Sequence, residues 1–353
     1  MSKIFEPFSL TSTTLQNRLI VSPMCQYSAQ DGFPTDWHLM HLGQFAAGKA
    51  GAVIQEATAV SPEGRISFWD LGIWSDKQGE AYQRITSFIK SQGSVPGIQL
   101  AYAGRKASDN RPWEGRGQFA PDHPFGWQTI APSPISFHSQ DNDPQELTRE
   151  GILLVINQFT QAAARAVKAG YEIIEIHAAH GYLIHQFLSP LVNQRNDDYG
   201  GNFENRIRFL LEIVDHVKTV LTHQSLWVRI SATDWADGGW NLDESIQLVN
   251  ILKTKGVEVI DVSSGGAVHH QQIPLHPGYQ VPFAQKIKET TGIATAAVGL
   301  ITEAQQAEGI LQADQADLIM IARKFLKNPH FVYDCARELG VDLDWAPPYA
   351  RAK

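Results

Sequence analysis

The sequence predicts an α/β protein built as a single (β/α)8 TIM barrel, one domain over residues 1–353, and three observations carry that expectation. Short apolar, β-rich runs alternate eight times with stretches of 3.6-residue periodicity, as parallel strands joined by crossover helices do. Polar residues gather at the C-terminal ends of those runs, where barrels carry their chemistry. No repeat, low-complexity tract or linker divides the chain. An open, doubly wound sheet is the alternative, but no GxGxxG opens the first helix.

Taken in order, the strands are expected at 18–24 (RLIVSPM), 52–58, 95–103, 173–179 (IIEIHAA), 226–232 (LWVRISA), 259–265, 294–300 (ATAAVGL) and 318–325. The helices that follow them are expected near 38–50, 80–92, 148–169, 205–221, 242–255, 281–291, 303–313 and 328–339. Thr302 with Gln305 fits a capping box and Asn241 with Glu244 resembles one, while Gly170, Gly256, Gly292 and Gly340 stand where C-caps belong. The third connection, 104–145, is far longer than an ordinary barrel loop. Its Trp113, Phe119, Phe125 and Trp127 predict a folded lid over the barrel mouth. In the tail, 341–353, Pro347 and Pro348 favour an extended chain.

Composition excludes several function classes. With 29 basic against 37 acidic residues the net charge is −8, which argues against a nucleic-acid partner. No stretch approaches eighteen consecutive apolar residues and the start MSKIFE has no apolar signal core, so a soluble cytoplasmic protein without a membrane span is expected. Two cysteines, Cys25 and Cys335, cannot build a disulfide framework or a four-thiolate iron–sulfur site. That excludes a relative of the same barrel type that depends on such a cluster.

The strand ends supply the candidate site. Strand one ends in Ser22-Pro23-Met24-Cys25-Gln26-Tyr27, strand three carries Gln99, and strand four runs into His177-Ala178-Ala179-His180-Gly181-Tyr182. Arg229 lies on strand five. His177 and His180 can be a structural pair, a metal site or donors to a substrate oxygen; the neighbouring strand ends offer Cys25, Gln99 and Arg229 rather than the carboxylate or third histidine that a metal wants. Tyr182 can donate a proton or close a hydrogen-bond network. Cys25 can be an inert buried thiol or a group beside the chemistry. Gly299 after strand seven and Arg323 at the end of strand eight occupy the standard phosphate site of barrels, although Arg323 can equally be an ion-pair partner.

Four segments resemble the Old Yellow Enzyme family: Ser22-Pro23-Met24-Cys25-Gln26-Tyr27; Ala103-Gly104-Arg105-Lys106-Ala107; His177-Ala178-Ala179-His180-Gly181-Tyr182-Leu183; and Ser189-Pro190-Leu191-Val192-Asn193-Gln194-Arg195, continuing from Asp198-Tyr199-Gly200-Gly201 to Arg206. The resemblance runs nearly end to end. Cys25 with Tyr27, and Arg351 after Pro-Pro-Tyr-Ala, are similar to the bacterial class of thermophilic-like ene-reductases. Tyr102, Asn202 and Ala322 depart from the family pattern.

The resemblance implies FMN as cofactor, NADPH or alternatively NADH as reductant, and an activated alkene (enone, enal or nitroalkene) as substrate. It implies that Pro23, Met24, Cys25, Ala57, Gln99 and Arg229 line the flavin, with Ser264, Gly299 and Arg323 toward its tail and phosphate. Tyr27, His177, His180, Tyr182 and Arg351 then bind substrate, Lys106 lies above the site, and Tyr182 protonates the α-carbon. Arg351 is implied to reach a neighbouring subunit's pocket in a homodimer or homotetramer. A non-catalytic flavin or ligand carrier on the same barrel is the alternative function.

Overall fold

The computed structural model describes residues 2–11 and 13–353. Its centre is a closed parallel barrel of β1 (Leu19–Val21), β2 (Ala52–Ala59), β3 (Val95–Ala101), β4 (Ile173–Ala178), β5 (Ser225–Ser231), β6 (Val259–Ser263), β7 (Ala294–Ala297) and β8 (Leu318–Ile321). Each strand pairs with its neighbours in the chain, and β8 closes on β1 through Ile319↔Leu19 and Ile321↔Val21. The barrel helices are α1 (Asp36–Ala47), α2 (Asp76–Ser91), α3 (Arg149–Lys168), α4 (Phe203–Lys218), α5 (Leu242–Thr254), α6 (Val281–Thr291), α7 (Ala304–Gln312) and α8 (Phe331–Glu338).

Both faces of every barrel strand are buried, and alternation divides the strands between two cores. Along β4, Ile174, Ile176 and Ala178 face the helices, where α3 presents Ile152, Val155, Ile156, Phe159 and Ala163 at helical spacing. Inward-facing Ile173, with Trp227 and Val259 from β5 and β6, packs against Leu15 of an N-terminal hairpin (Phe8–Ser9 with Thr14–Leu15) that closes the barrel floor. Above this apolar floor the inward positions become polar. Glu175 and His177 follow on β4, Arg229 on β5, and Asp261 and Ser263 on β6.

Several helix starts follow capping chemistry. The side chains of Thr148, Asn202 and Asn241 each accept the N–H three residues on. Asn202, a departure from the family pattern, is therefore a sound N-cap in its own right. The Asn241 box is partial, because Glu244 meets the Asn241 side-chain amide. Thr302 and Gln305 do not cap: α7 starts at Ala304 with Glu303 at the N-cap, and Gln306 receives the Thr302 N–H at 3.1 Å. Gly170, Gly256, Gly292 and Gly340 all adopt positive φ past helix ends, as expected.

The segment 104–145 is tied down by a buried guanidinium. Arg105 donates to the Ile135 carbonyl at 2.9 Å and, across the barrel mouth, to the Ala267 carbonyl at 2.6 Å. Trp127 Nε1 donates to the Glu63 carbonyl, and Arg111 lies over the Trp69 ring at 4.1 Å. In the tail, Trp345 stacks on Tyr333 of α8 with centroids 4.2 Å apart. Pro347–Ala352 then coils into a 3-10 turn. That corrects the expected extended chain: proline's fixed φ suits the first turn of a helix as well as an extended segment. No helix among the described residues is long and apolar enough to cross a membrane.

Candidate active site

At the mouth of the barrel the cross-strand register sets the polar groups side by side. His177 of β4 stands opposite Arg229 of β5, which stands opposite Asp261 of β6. Below them Gln99 of β3 donates to Glu175 at 2.7 Å, and Arg229 Nε lies 3.1 Å from an Asp261 carboxylate oxygen. Arg229 also donates to the Ser22 hydroxyl at 3.2 Å. One guanidinium thus serves two buried carboxyl groups. Burial, reinforced by Asp261, lifts Glu175 to about 8, and burial raises Asp261 as well, against the pull of Arg229. The sequence reading missed both acids.

Past β4 the chain folds back over this floor. His180 has φ 59° and Gly181 φ 73°, and a Cβ on Gly181 would sit 1.9 Å from the Gly266 carbonyl oxygen, so glycine is required there. The His180 N–H donates to the Ser231 hydroxyl at 2.9 Å, and its Nε2 lies 2.7 Å from the Ser263 hydroxyl. The His177 ring is 5.1 Å from the rings of both His180 and Tyr182. Burial, with Arg229 next in importance, holds both imidazoles well below their ordinary pKa, so they are neutral. His177 Nδ1 is buried without a hydrogen-bond partner among the described residues. Beneath the turn, fully buried His185 accepts the Gly181 N–H at 2.8 Å and meets Asp234 at 2.9 Å.

The end of β1 brings Cys25 and Tyr27 to the same mouth. Tyr27 has φ 50°, and its turn is held by Glu56, which accepts the Gln26 N–H at 2.7 Å and faces His38 at 3.5 Å. Glu56 escaped the sequence reading because it sits where the β2–β3 register shifts between Gln55 and Ala57; the bulge turns it out of the alternation. Burial, followed by Asp70 and Glu56, pushes the Cys25 thiol up, so it stays protonated. Burial likewise raises Tyr27 and Tyr182, each of which lies within the electrostatic reach of Cys25.

At the opposite rim a cavity of about 180 Å³ is lined by Arg229, Gly299 and Arg323, among others. Strands seven and eight are shorter than expected: β7 stops at Ala297 and β8 at Ile321. Gly299 lies in the loop beyond β7 with φ 123°, and Arg323 opens a short helix, Arg323–Lys327. The correction has a physical cause, since Ala322 at ψ −90° breaks the strand and turns the chain into that helix. Ser264 reaches this rim with its hydroxyl donating to Gln280 at 2.6 Å. Tyr27, Lys106 and Tyr182 line a second cavity of about 580 Å³, walled on one side by residues of the 104–145 segment. Pro23 and Met24 follow β1 and are half-buried, Ala57 is buried in β2 opposite Gln99, and Arg351 is exposed in the tail turn.

Comparison with known proteins places this architecture. Residues 3–340 match the NADH:flavin oxidoreductase / NADH oxidase family. The chain is 47% identical over 354 residues to an NADPH dehydrogenase of Listeria monocytogenes serotype 4b (strain CLIP80459), covering 100% of this chain and 99% of that one. Among solved structures, morphinone reductase superposes with a TM-score of 0.81 at 26% identity, covering 98% of this chain and 92% of its own. Histamine dehydrogenase from Rhizobium sp. 4-9 gives a TM-score of 0.81 at 25% identity over 96% of this chain but only 48% of that one. The barrel, its polar mouth and these full-length matches together establish that the chain belongs to the NADH:flavin oxidoreductase family, the Old Yellow Enzymes, and is an NAD(P)H-dependent oxidoreductase.

Proposed function

We propose that the protein is an FMN-dependent ene-reductase that uses NADPH to reduce activated C=C bonds in enones, enals and nitroalkenes. The observation that carries the reading is the cluster in which the His180 and Tyr182 rings each lie 5.1 Å from the His177 ring, with Tyr182 and Tyr27 lining one cavity. FMN fits the donor set. Arg229 offers a buried cation at the floor, the Gly299 backbone is open where a Cβ would crowd Gln280 and Tyr279, and Arg323 supplies a forked donor at a helix start. Pro23, Met24, Cys25, Ala57, Gln99 and Arg229 would hold the ring, and Ser264, Gly299 and Arg323 its tail.

Bound FMN supplies the hydride chemistry between NADPH and the alkene β-carbon. The chain's own residues do the rest. His177 and His180, kept neutral, donate N–H bonds to the carbonyl or nitro oxygen and meet the charge that develops there. Tyr182, kept protonated by burial, gives its phenolic proton to the α-carbon. Cys25, a protonated thiol, tunes the site rather than attacking substrate. Arg351 completes the pocket of a neighbouring subunit in a homodimer or homotetramer.

The test is to release the chromophore from purified protein, weigh it, and follow reoxidation of the reduced protein by cyclohexenone in stopped flow. FMN and rapid reoxidation are expected. Changing both histidines to Ala should slow reoxidation by about a hundredfold or more. Bound FMN without enone reoxidation identifies a flavin carrier, and a preparation that takes up no FMN overturns the reading altogether.

A further inference from the structure

One half-buried charge at the site is left without a carboxylate partner among the described residues. Lys106 lies in the turn after β3 and forms no ion pair among the described residues. Its ammonium donates to the His180 carbonyl at 2.8 Å and to the Gly266 carbonyl at 3.4 Å. It also lies on the Tyr182 ring, 5.1 Å from the centroid, and on the Phe137 ring of the lid at 4.5 Å. Lys106 and Tyr182 line the same cavity. Four separate contacts therefore fix a cation beside the phenol, although a lysine spared them would reach water.

We propose that Lys106 is the electrostatic partner of Tyr182, a positioning residue whose ammonium offsets the phenolate left when Tyr182 protonates the α-carbon. The proposal rests on the reading of Tyr182 as proton donor. In that step the Tyr182 O–H bond breaks, a C–H bond forms at the α-carbon, and the electron pair stays on the phenolic oxygen. Water from the cavity then returns a proton to that oxygen and leaves as hydroxide, which the buffer neutralises. The buried phenol resists ionisation because burial raises its pKa, and Cys25, Asp70 and Asp109 raise it further. A fixed positive charge at the ring works against all of these. The two carbonyl bonds also make Lys106 a clamp on the left-handed His180, so the same ammonium serves donor geometry and proton transfer.

The ammonium has an alkaline limit. Burial, with Arg105 next and Arg116 later, lowers Lys106 to about 8, and Asp109 pulls the other way. His138 and Asp141 face it across the lid wall of the cavity, with Tyr27 on the β1 side. His177 and His180, already neutral, do not change charge as pH rises. Proton transfer from Tyr182 should therefore be flat below that pH and fall as pH rises through it.

Stopped-flow measurement of both half-reactions against pH in the FMN-loaded protein decides the matter. Lys106→Met should slow reoxidation by an enone about tenfold or more, remove the alkaline fall, and leave flavin reduction by NADPH within about twofold. Lys106→Arg should restore most of the rate and move the alkaline fall beyond pH 10 or so, because guanidinium stays charged. Adding Lys106→Met to Tyr182→Phe should slow reoxidation by less than the product of the two single effects, because the proton-transfer part of the Lys106 effect is already gone. In ε-13C-lysine NMR of the protein, one resonance should titrate well below the others and vanish in Lys106→Met. Wild-type reoxidation in Lys106→Met, equal slowing of both half-reactions, or a fully additive double variant each overturns the proposal. If Lys106→Met does not fold, an alkaline fall in Lys106→Arg that stays near pH 8 overturns it. Unimpaired reoxidation in Tyr182→Phe sinks the proton-donor assignment instead.

Discussion

At the scale of single residues, the charge balance on the barrel floor is the least expected feature. Arg229 is shared by Asp261 and Glu175, and two carboxylates with one guanidinium would leave a buried negative charge, which is costly unless a proton neutralises it. The sign of the pH effect follows. Native Glu175 keeps its proton up to about 8, whereas the unfolded chain releases it near the ordinary carboxylate value. The stability this contributes is present at low pH and is lost as pH rises through about 8. Glu175→Gln carries no titrating proton, so with FMN bound its Tm should decline less than the wild type's between pH 5 and 8 (roughly). Parallel Tm curves would show that Glu175 is ionised in the fold. Neither acid was legible in the sequence, and the reason is geometric. In a strand buried on both faces nothing in the composition tells which alternate set points inward, so Glu175 and Asp261 read as ordinary polar interruptions. His177, Tyr182 and Arg229 were legible because they lie near or just beyond the C-terminal ends of their strands, where barrels gather their chemistry.

At the scale of elements, all eight strands and their helices were readable, since short apolar runs alternate regularly with stretches of helical period. What escaped were short pieces with no period of their own: the helix Leu183–Leu188, the helix Arg323–Lys327 that cuts strand eight short, and the bulge at Glu56. The turn from His180 to Tyr182 shows how much such a piece can decide. Gly181→Ala places a methyl 1.9 Å from a backbone oxygen in a left-handed conformation. Gly201→Ala has the same handedness penalty with nothing within 4 Å. We expect Gly181→Ala to lose more than about tenfold in enone turnover, and Gly201→Ala to lose only about 1–2 kcal/mol of stability with normal turnover. Similar kinetics for the two would mean that the Gly181 turn yields without disturbing the histidines it carries.

At the scale of the whole molecule, the tail is anchored to α8 by Trp345 on Tyr333 and ends in a turn that leaves Arg351 exposed. If that arginine serves a second subunit, removing 350–353 should keep the barrel and its FMN yet raise KM for the enone severalfold. The intact protein should then sediment as a dimer or larger species; full activity as a dilute monomer would refute the shared pocket. The other end of the chain is anchored as firmly. The Glu308 carboxylate of α7 accepts the Ser2 hydroxyl at 2.7 Å, the Lys3 N–H at 2.8 Å and the Ile4 N–H at 3.1 Å. Those partners lie 304 to 306 residues apart, and β1 likewise waits for β8. On a ribosome adding about 5–20 residues per second, the first strand emerges some 15–60 s before its closing partner exists. Through that interval Leu19, Ile20 and Val21 present an unpaired apolar edge, so this barrel is expected to need shelter during its synthesis more than after it.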